Sequence, residues 1–208
     1  MLAIDHLVIV SDDPKRDATK FAQEHQVNVM KGGTHELWGT FNYLAFFDND
    51  CYIEWLGIFD ESSARQSDNP LIKQTVSFLD DGRTGLMTYA LRTDKLDEYL
   101  EHFQKNNIGY KGPFPGSRTK TDGSLLSWRM LFSSDSILPF LIEWKDGINL
   151  PDDKSIINPI KIDTVKVPRN PNYEKVFRLQ EKNDSIQLAN GLLQFTDEQP
   201  TFSLKSFT

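Results

Sequence analysis

Two stretches, Tyr52-Ile53-Glu54-Trp55 and Phe140-Leu141-Ile142-Glu143-Trp144, decide the fold, because each closes a segment that begins with an apolar strand and a helix and each carries one carboxylate among apolar neighbours. Working outward, the repetition extends along the whole module. The first copy opens with Ile4-Asp5-His6-Leu7-Val8-Ile9-Val10 and Asp12-Asp13-Pro14, the second with Met87-Thr88-Tyr89-Ala90-Leu91-Arg92 and Thr93-Asp94. An Asp or Thr cap, with Pro14 in the first turn of the first copy, then starts a helix. Ala18, Phe21 and Ala22 share one face of the helix expected over 15–26; Leu96, Tyr99, Leu100 and Phe103 do so in the helix expected over 96–106. Short strands follow over 27–30 and 108–110, then Gly-rich loops, Gly32-Gly33-Thr34-His35 against Gly116-Ser117-Arg118. Gly39-Thr40 and Asp122-Gly123-Ser124 lead into strands over 41–47 and 125–132, and the strand holding Glu54 or Glu143 ends each copy. The expected architecture is α+β: tandem strand-helix-three-strand modules at 1–58 and 85–146.

Two further segments complete the chain. In the linker 59–84, Asn69-Pro70 marks a helix start, Leu71, Ile72, Val76, Phe78 and Leu79 keep helical spacing, and Asp81-Gly82 ends it. It is expected to pack beside the first module. In 147–208, Ile162-Asp163-Thr164 echoes Ile4-Asp5-His6, a short helix is expected over 173–179, and two strands flank Asn190-Gly191, a favoured hairpin turn. This reads as a partial third module, serving as an accessory or homodimer-forming unit, with Thr164 where the first copy has His6.

Composition bounds the function class. The chain of 208 residues has ordinary apolar and charged fractions and a formal net charge of −7. With no basic run and no interleaved aromatics, nucleic acid is not expected as a partner, since phosphate affinity comes from clustered Lys and Arg. No apolar stretch approaches a membrane span, and the single cysteine, Cys51, has no internal disulfide partner. Met1 to Asp5 lack the cationic flank of a signal peptide, so a cytoplasmic location is expected. No organic cofactor is expected.

The element order, the His in the first strand, the Glu in the fourth and the Gly-Gly-Thr-His and Asp-Gly loops resemble the vicinal oxygen chelate superfamily and its glyoxalase-like domain branch, over roughly residues 3–146. The resemblance implies two modules edge to edge, their sheets curled into a half-open cleft around a small-molecule ligand. It also implies that any metal ligands come from the first and fourth strands of each module. On that basis His6, Glu54 and Glu143 are the expected metal set. Thr88, aligned with His6, supplies no second histidine, which argues against a two-His, one-carboxylate iron dioxygenase. One nitrogen and two carboxylates suit Mn²⁺, Mg²⁺, Ni²⁺ or Zn²⁺, acting as a Lewis acid on a carbonyl or enediolate oxygen. Glu54 and Glu143 are the candidate proton-transfer groups of an isomerase or lyase. The competing expectation is a binding protein that sequesters a small molecule in the same cleft without chemistry.

Each residue also has a plainer reading. His6 is either a cleft ligand or a half-buried imidazole bonded to a neighbouring strand. The two Glu residues either share a partner or pair separately with Arg129 and Arg118. His35 and Arg118, at matching loop positions, reach an anionic substrate from opposite rims, unless the glycines merely shape a turn and His35 is solvated. Asn42, amid apolar residues, must be hydrogen-bonded, to substrate or to interior backbone. Trp128, with Trp38, Tyr43, Trp55 and Trp144, lines a pocket or is core.

Overall fold

The computed structural model describes residues 1–119 and 123–206, so Asp122 of the second Asp-Gly loop lies outside the described residues. Strand β1 (Ala3–Val10), helix α1 (Pro14–His25) and strands β2 (Met30–His35), β3 (Thr40–Phe47) and β4 (Cys51–Ile58) form one unit. Helices α2 (Glu61–Gln66) and α3 (Pro70–Asp80) follow. Strand β5 (Gly85–Arg92), helix α4 (Leu96–Lys105) and strands β6 (Tyr110–Thr119), β7 (Leu125–Ser133) and β8 (Phe140–Trp144) then repeat the order. Within each unit the first and last strands pair in parallel, and β1 and β5 join the units antiparallel. One eight-stranded sheet results, in the order β2-β3-β4-β1-β5-β8-β7-β6. It curls until its edge strands, β2 and β6, face each other.

Alternation along these strands separates two apolar layers. On the convex side, Ile4, Leu7, Ile53, Trp55, Leu91 and Leu141 pack against the helices and the C-terminal unit. On the concave side, Val8, Leu44, Tyr52, Trp128, Phe140 and Ile142 form a second cluster, joined by Leu71 of α3. The linker helix therefore does not merely flank the first module: Leu71 and Ile72 close the floor of the cleft. Asp13 caps α1, accepting from the Arg16 amide at 3.0 Å, with Pro14 at the first helical position where no N–H is needed.

The C-terminal unit comprises β9 (Ile160–Pro168), α5 (Tyr173–Phe177), β10 (Ser185–Gln187), β11 (Leu192–Thr196) and β12 (Thr201–Ser206), a four-stranded sheet in the order β10-β11-β9-β12. β9 is parallel to β11 and antiparallel to β12, as β1 is to β4 and β5. The likeness reaches single residues. β1 bulges at Asp5, between the pairs Ile4–Leu91 and His6–Ala90, and β9 bulges at Asp163, between Ile162–Leu204 and Thr164–Ser203. The Asn190-Gly191 hairpin forms, but through the four-residue connection 188–191 rather than the two-residue turn expected from that dipeptide. A Cβ at Gly191 would stand 2.8 Å from Ile4 Cδ1, so any side chain there would have to push the tip of Ile4 aside.

Two asparagines dock this unit on the first. Asn190 Oδ1 accepts from Ile4 N and its Nδ2 donates to Ile4 O, both at 2.8 Å. Reciprocally, Asn49 Oδ1 accepts from Ile162 N at 3.2 Å and its Nδ2 donates to Ile162 O at 2.8 Å. Each amide thus serves as a peptide group for the strand beside a bulge, where the ladder leaves backbone groups unpaired. Asn190→Ala removes these partners at a part-buried seam whose Ile4 is fully buried, and leaving a buried polar group unpaired costs ~1–3 kcal/mol each. A loss of about 2–4 kcal/mol is expected, read as a melting temperature lower by roughly 5–15 °C.

Candidate functional site

The bulge at Asp5 organises the cleft. The fully buried Asp5 carboxylate (0 % exposed) meets His6 Nδ1 at 2.6 Å through Oδ1, and accepts through Oδ2 from Trp144 Nε1 at 2.9 Å and Arg92 Nη1 at 3.1 Å. Three donors satisfy an otherwise costly buried charge. A carboxylate on Nδ1 places a proton there and directs Nε2 into the cleft. Tyr52 stacks on the imidazole at 4.6 Å and Phe140 meets it edge-on at 5.7 Å, fixing the ring plane.

Across from Nε2, at 3.5 Å, stands Glu54 Oε2. Glu54 is buried, and its other oxygen accepts from Asn42 Nδ2 at 2.5 Å, while Asn42 Oδ1 accepts from Gly33 N at 2.8 Å. Asn42 is therefore a brace between the β2 backbone and the Glu54 carboxylate. Gly32 and Gly33 lie in strand β2, not in a loop, at a break in its pairing with β3. They are required by space: a Cβ at Gly32 would lie 2.1 Å from Asn42 Oδ1, and one at Gly33 2.5 Å from Arg118 Cδ.

Arg118, likewise in a strand, lies across Gly33 because the sheet brings its edges together. His35 and Arg118 are thus neighbours rather than occupants of opposite rims. His35 Nδ1 is 3.0 Å from Thr40 Oγ1, and its ring contacts Trp38 and Trp128 at 5.8 and 6.0 Å. Burial holds its pKa below the ordinary histidine value; the Glu54 charge opposes this and the Arg118 charge adds to it. His35 is therefore neutral at pH 7. Because the folded pKa is depressed, its contribution to stability is fully present above the unfolded value near 6.5 and is lost as pH falls through the folded value. Between pH 7.5 and 5 the wild type should lose more melting temperature than His35→Gln; equal losses would refute this.

These side chains surround two connected spaces. An inner pocket of about 50 Å³ is bounded by His6, Asn42, Tyr52, Glu54 and Asn149 over an apolar floor. An outer cavity of about 1250 Å³ opens beyond it, and His35, Trp38, Arg118, Trp128 and Trp144 belong to the walls of both. Trp128 stacks obliquely on Trp144 at 5.3 Å, whereas Trp55 faces the helix layer and packs on Phe21.

Glu143 does not join His6 and Glu54, which corrects the expected metal and proton-transfer set. In the parallel pairings His6 stands opposite Tyr52 and Val8 opposite Glu54; the matching pairs in the second unit are Ala90–Phe140 and Arg92–Ile142. Ile142, not Glu143, is the counterpart of Glu54, and Ala90, not Thr88, that of His6. A one-residue offset in a strand turns a side chain to the other face. Glu143 accordingly points to the helix layer, accepting from the Leu96 amide at 3.1 Å and pairing with Arg129, which also binds Asp97. It does the capping expected of a Thr or Asp before α4. Among the described residues no group of three or more His, Cys, Asp or Glu side chains is arranged to hold a metal ion, so the three-donor centre does not fit. Glu143→Gln should cost at most ~1 kcal/mol, since the pair is part-exposed and screened. Any activity of the cleft should survive this substitution; its loss would return Glu143 to the site.

Asp5, Tyr52, Arg92 and Asn149 belong to the site although the sequence did not single them out. For Asp5 a signal existed, an acid inside an apolar strand repeated as Asp163; Asn149, in a connection, had none.

A family model described as a glyoxalase-like domain matches residues 4–180. Among curated proteins none matches. Of solved structures, a hypothetical protein from Staphylococcus aureus is similar at 20% identity and TM-score 0.75, covering 95% of this chain and 87% of that one. A hypothetical protein of Bacillus halodurans C-125 aligns at 13% identity and TM-score 0.50, covering 69% and 93%. Methylmalonyl-CoA epimerase of Streptomyces coelicolor, in complex with 2-nitronate-propionyl-CoA, aligns at 16% and 0.51, covering 71% and 98%. At these identities the likeness to the solved structures concerns the fold alone; it is the glyoxalase-like match over residues 4–180, together with that fold, that supports the vicinal oxygen chelate superfamily. No described helix is long and apolar enough to cross a membrane.

Proposed function

The chain belongs to the glyoxalase-like domain family, and we propose that it is an isomerase or lyase that moves a proton beside the carbonyl of a small oxygenated molecule. The observation that carries this reading is the pair His6 Nε2 and Glu54 Oε2, 3.5 Å apart inside a pocket, each held from behind by its own partner, Asp5 and Asn42. Proton transfer needs a base within reach of a C–H and an acid to return the proton. In this scheme Glu54 takes the proton from the carbon next to the carbonyl, and the C–H pair becomes the carbon–carbon double bond as the C=O π pair moves onto oxygen. The proton passes from Glu54 to the bare His6 Nε2, which returns it to the rearranged substrate and leaves both side chains as they began. Arg118 and neutral His35, at the mouth, stabilise the oxygen on which charge develops. The epimerase named above is a protein of this fold whose name describes a change at one carbon, which supports the isomerase half of the proposal.

A second reading is favoured by the outer cavity, whose size matches or exceeds drug-sized sites: capture of a small molecule without chemistry. Solvent deuterium exchange into hydroxyacetone or 2-butanone, followed by proton NMR, separates the two. Protein-dependent exchange that Glu54→Gln abolishes supports the enzyme. Ligand binding with exchange no faster than in buffer supports capture.

A further inference from the structure

Asn149 lies in the connection after β8, is 5 % exposed, and forms part of the inner pocket wall beside Tyr52 and Glu54. Its Oδ1 is buried and has no hydrogen-bond partner among the described residues. The Asn149 side chain also interacts with the Tyr52 hydroxyl, and its amide oxygen is the atom left for another partner. In the unfolded chain that oxygen is hydrated. A buried amide oxygen without a protein partner calls for a donor from the pocket itself. The pocket holds only about 50 Å³, and at ~10–15 Å³ per water-sized centre it admits about three to five heavy atoms. A ligand head that fits meets the acid–base pair on one side and the bare Asn149 oxygen on another.

We propose that the inner pocket selects a carbonyl head group carrying a hydrogen-bond donor, a hydroxyl or N–H, which Asn149 Oδ1 accepts. This rests on the proton-transfer reading of the same pocket and adds what that reading leaves open, the substrate class. The donor and the reacting carbon belong to one small head, and whatever larger group it carries extends past Trp38, Trp128 and Arg118 into the outer cavity.

The test compares hydroxyacetone with 2-butanone, isosteric ketones that differ by a hydroxyl in place of a methyl. Binding is read by tryptophan fluorescence and ligand-observed NMR, exchange by proton NMR in D₂O. A pocket that leaves a polar group unpaired with the wrong ligand discriminates strongly, so hydroxyacetone should bind about tenfold or more tightly. Asn149→Leu should abolish that preference, and if it fails to fold, Asn149→Ser withdraws the amide oxygen equally. Equal binding of the two ketones, binding of neither, or a preference unchanged in the variants overturns the inference. Exchange without preference defeats this inference alone; preference without exchange defeats the catalytic reading alone.

Discussion

Asp5→Ala should lower the melting temperature by on the order of 10 °C. The substitution removes the carboxylate from three donors at once and leaves the Arg92 guanidinium, only 15% exposed, without its buried counter-charge. Breaking a buried pair by removing one partner costs roughly 3–5 kcal/mol, and for a chain of this size each kcal/mol is worth ~2–4 °C. Asp5→Asn tests the mechanism more sharply. An amide keeps the volume but presents N–H to a position ringed by the donors of His6, Trp144 and Arg92, so it should be destabilising as well. Asp163→Ala provides the internal control. At the equivalent bulge Asp163 is part-exposed and its carboxylate meets, among the described residues, Thr164 at 3.2 Å and Lys161 at 3.3 Å, so the change should cost below about 1 kcal/mol. Thermal denaturation of the three variants in parallel decides the matter; similar losses for Asp5→Ala and Asp163→Ala would mean that Asp5 is not the keystone of the site.

Glu54→Gln should slow proton exchange by about 10²–10⁴-fold, the range attributable to a positioned acid or base. Glutamine keeps an oxygen to accept from Asn42 Nδ2, so the brace survives and stability should change little. His6→Gln should produce a comparable loss, and the double variant should be little worse than either single one, because members of one proton-transfer unit are not additive. Full activity in Glu54→Gln, with folding and ligand binding intact, would exclude Glu54 as the base. A matched loss of melting temperature and activity would instead mark it as structural.

Much of the architecture is legible in the residues. The strand-helix-three-strand order, the helix starts at Asp13-Pro14 and Asn69-Pro70, and the third unit announced by Ile162-Asp163-Thr164 all depend on local chemistry: caps, periodicity and turn residues. His6 and Glu54 stand out as polar residues in apolar strands, but alternation puts His6 on the side of Ile4 and Val8, and only the bulge at Asp5 separates it from the convex Ile4 and turns it with Val8 to the cleft. Strand lengths were less legible. Gly32-Gly33 and Gly116 read as loop signals, yet they sit inside β2 and β6, where their lack of a side chain admits Asn42, Arg118 and the Trp128 ring.

Glu143 shows where reading along the chain ends. Its motif repeats that of Glu54 letter for letter over Ile-Glu-Trp, and a motif carries no information about which residue of the neighbouring strand it faces. That depends on register, set by Phe140 opposite Ala90 and by the packing of Leu141 into the convex core. The sequence by itself determined the duplication, the fold and a first strand bearing His6 opposite a fourth bearing Glu54. Only the tertiary structure decided that the second carboxylate caps a helix, that edge strands far apart in sequence bring His35 beside Arg118, and that Asn149 joins the pocket wall. These outcomes follow from pairing register and sheet curvature, which arise from contacts between segments remote along the chain.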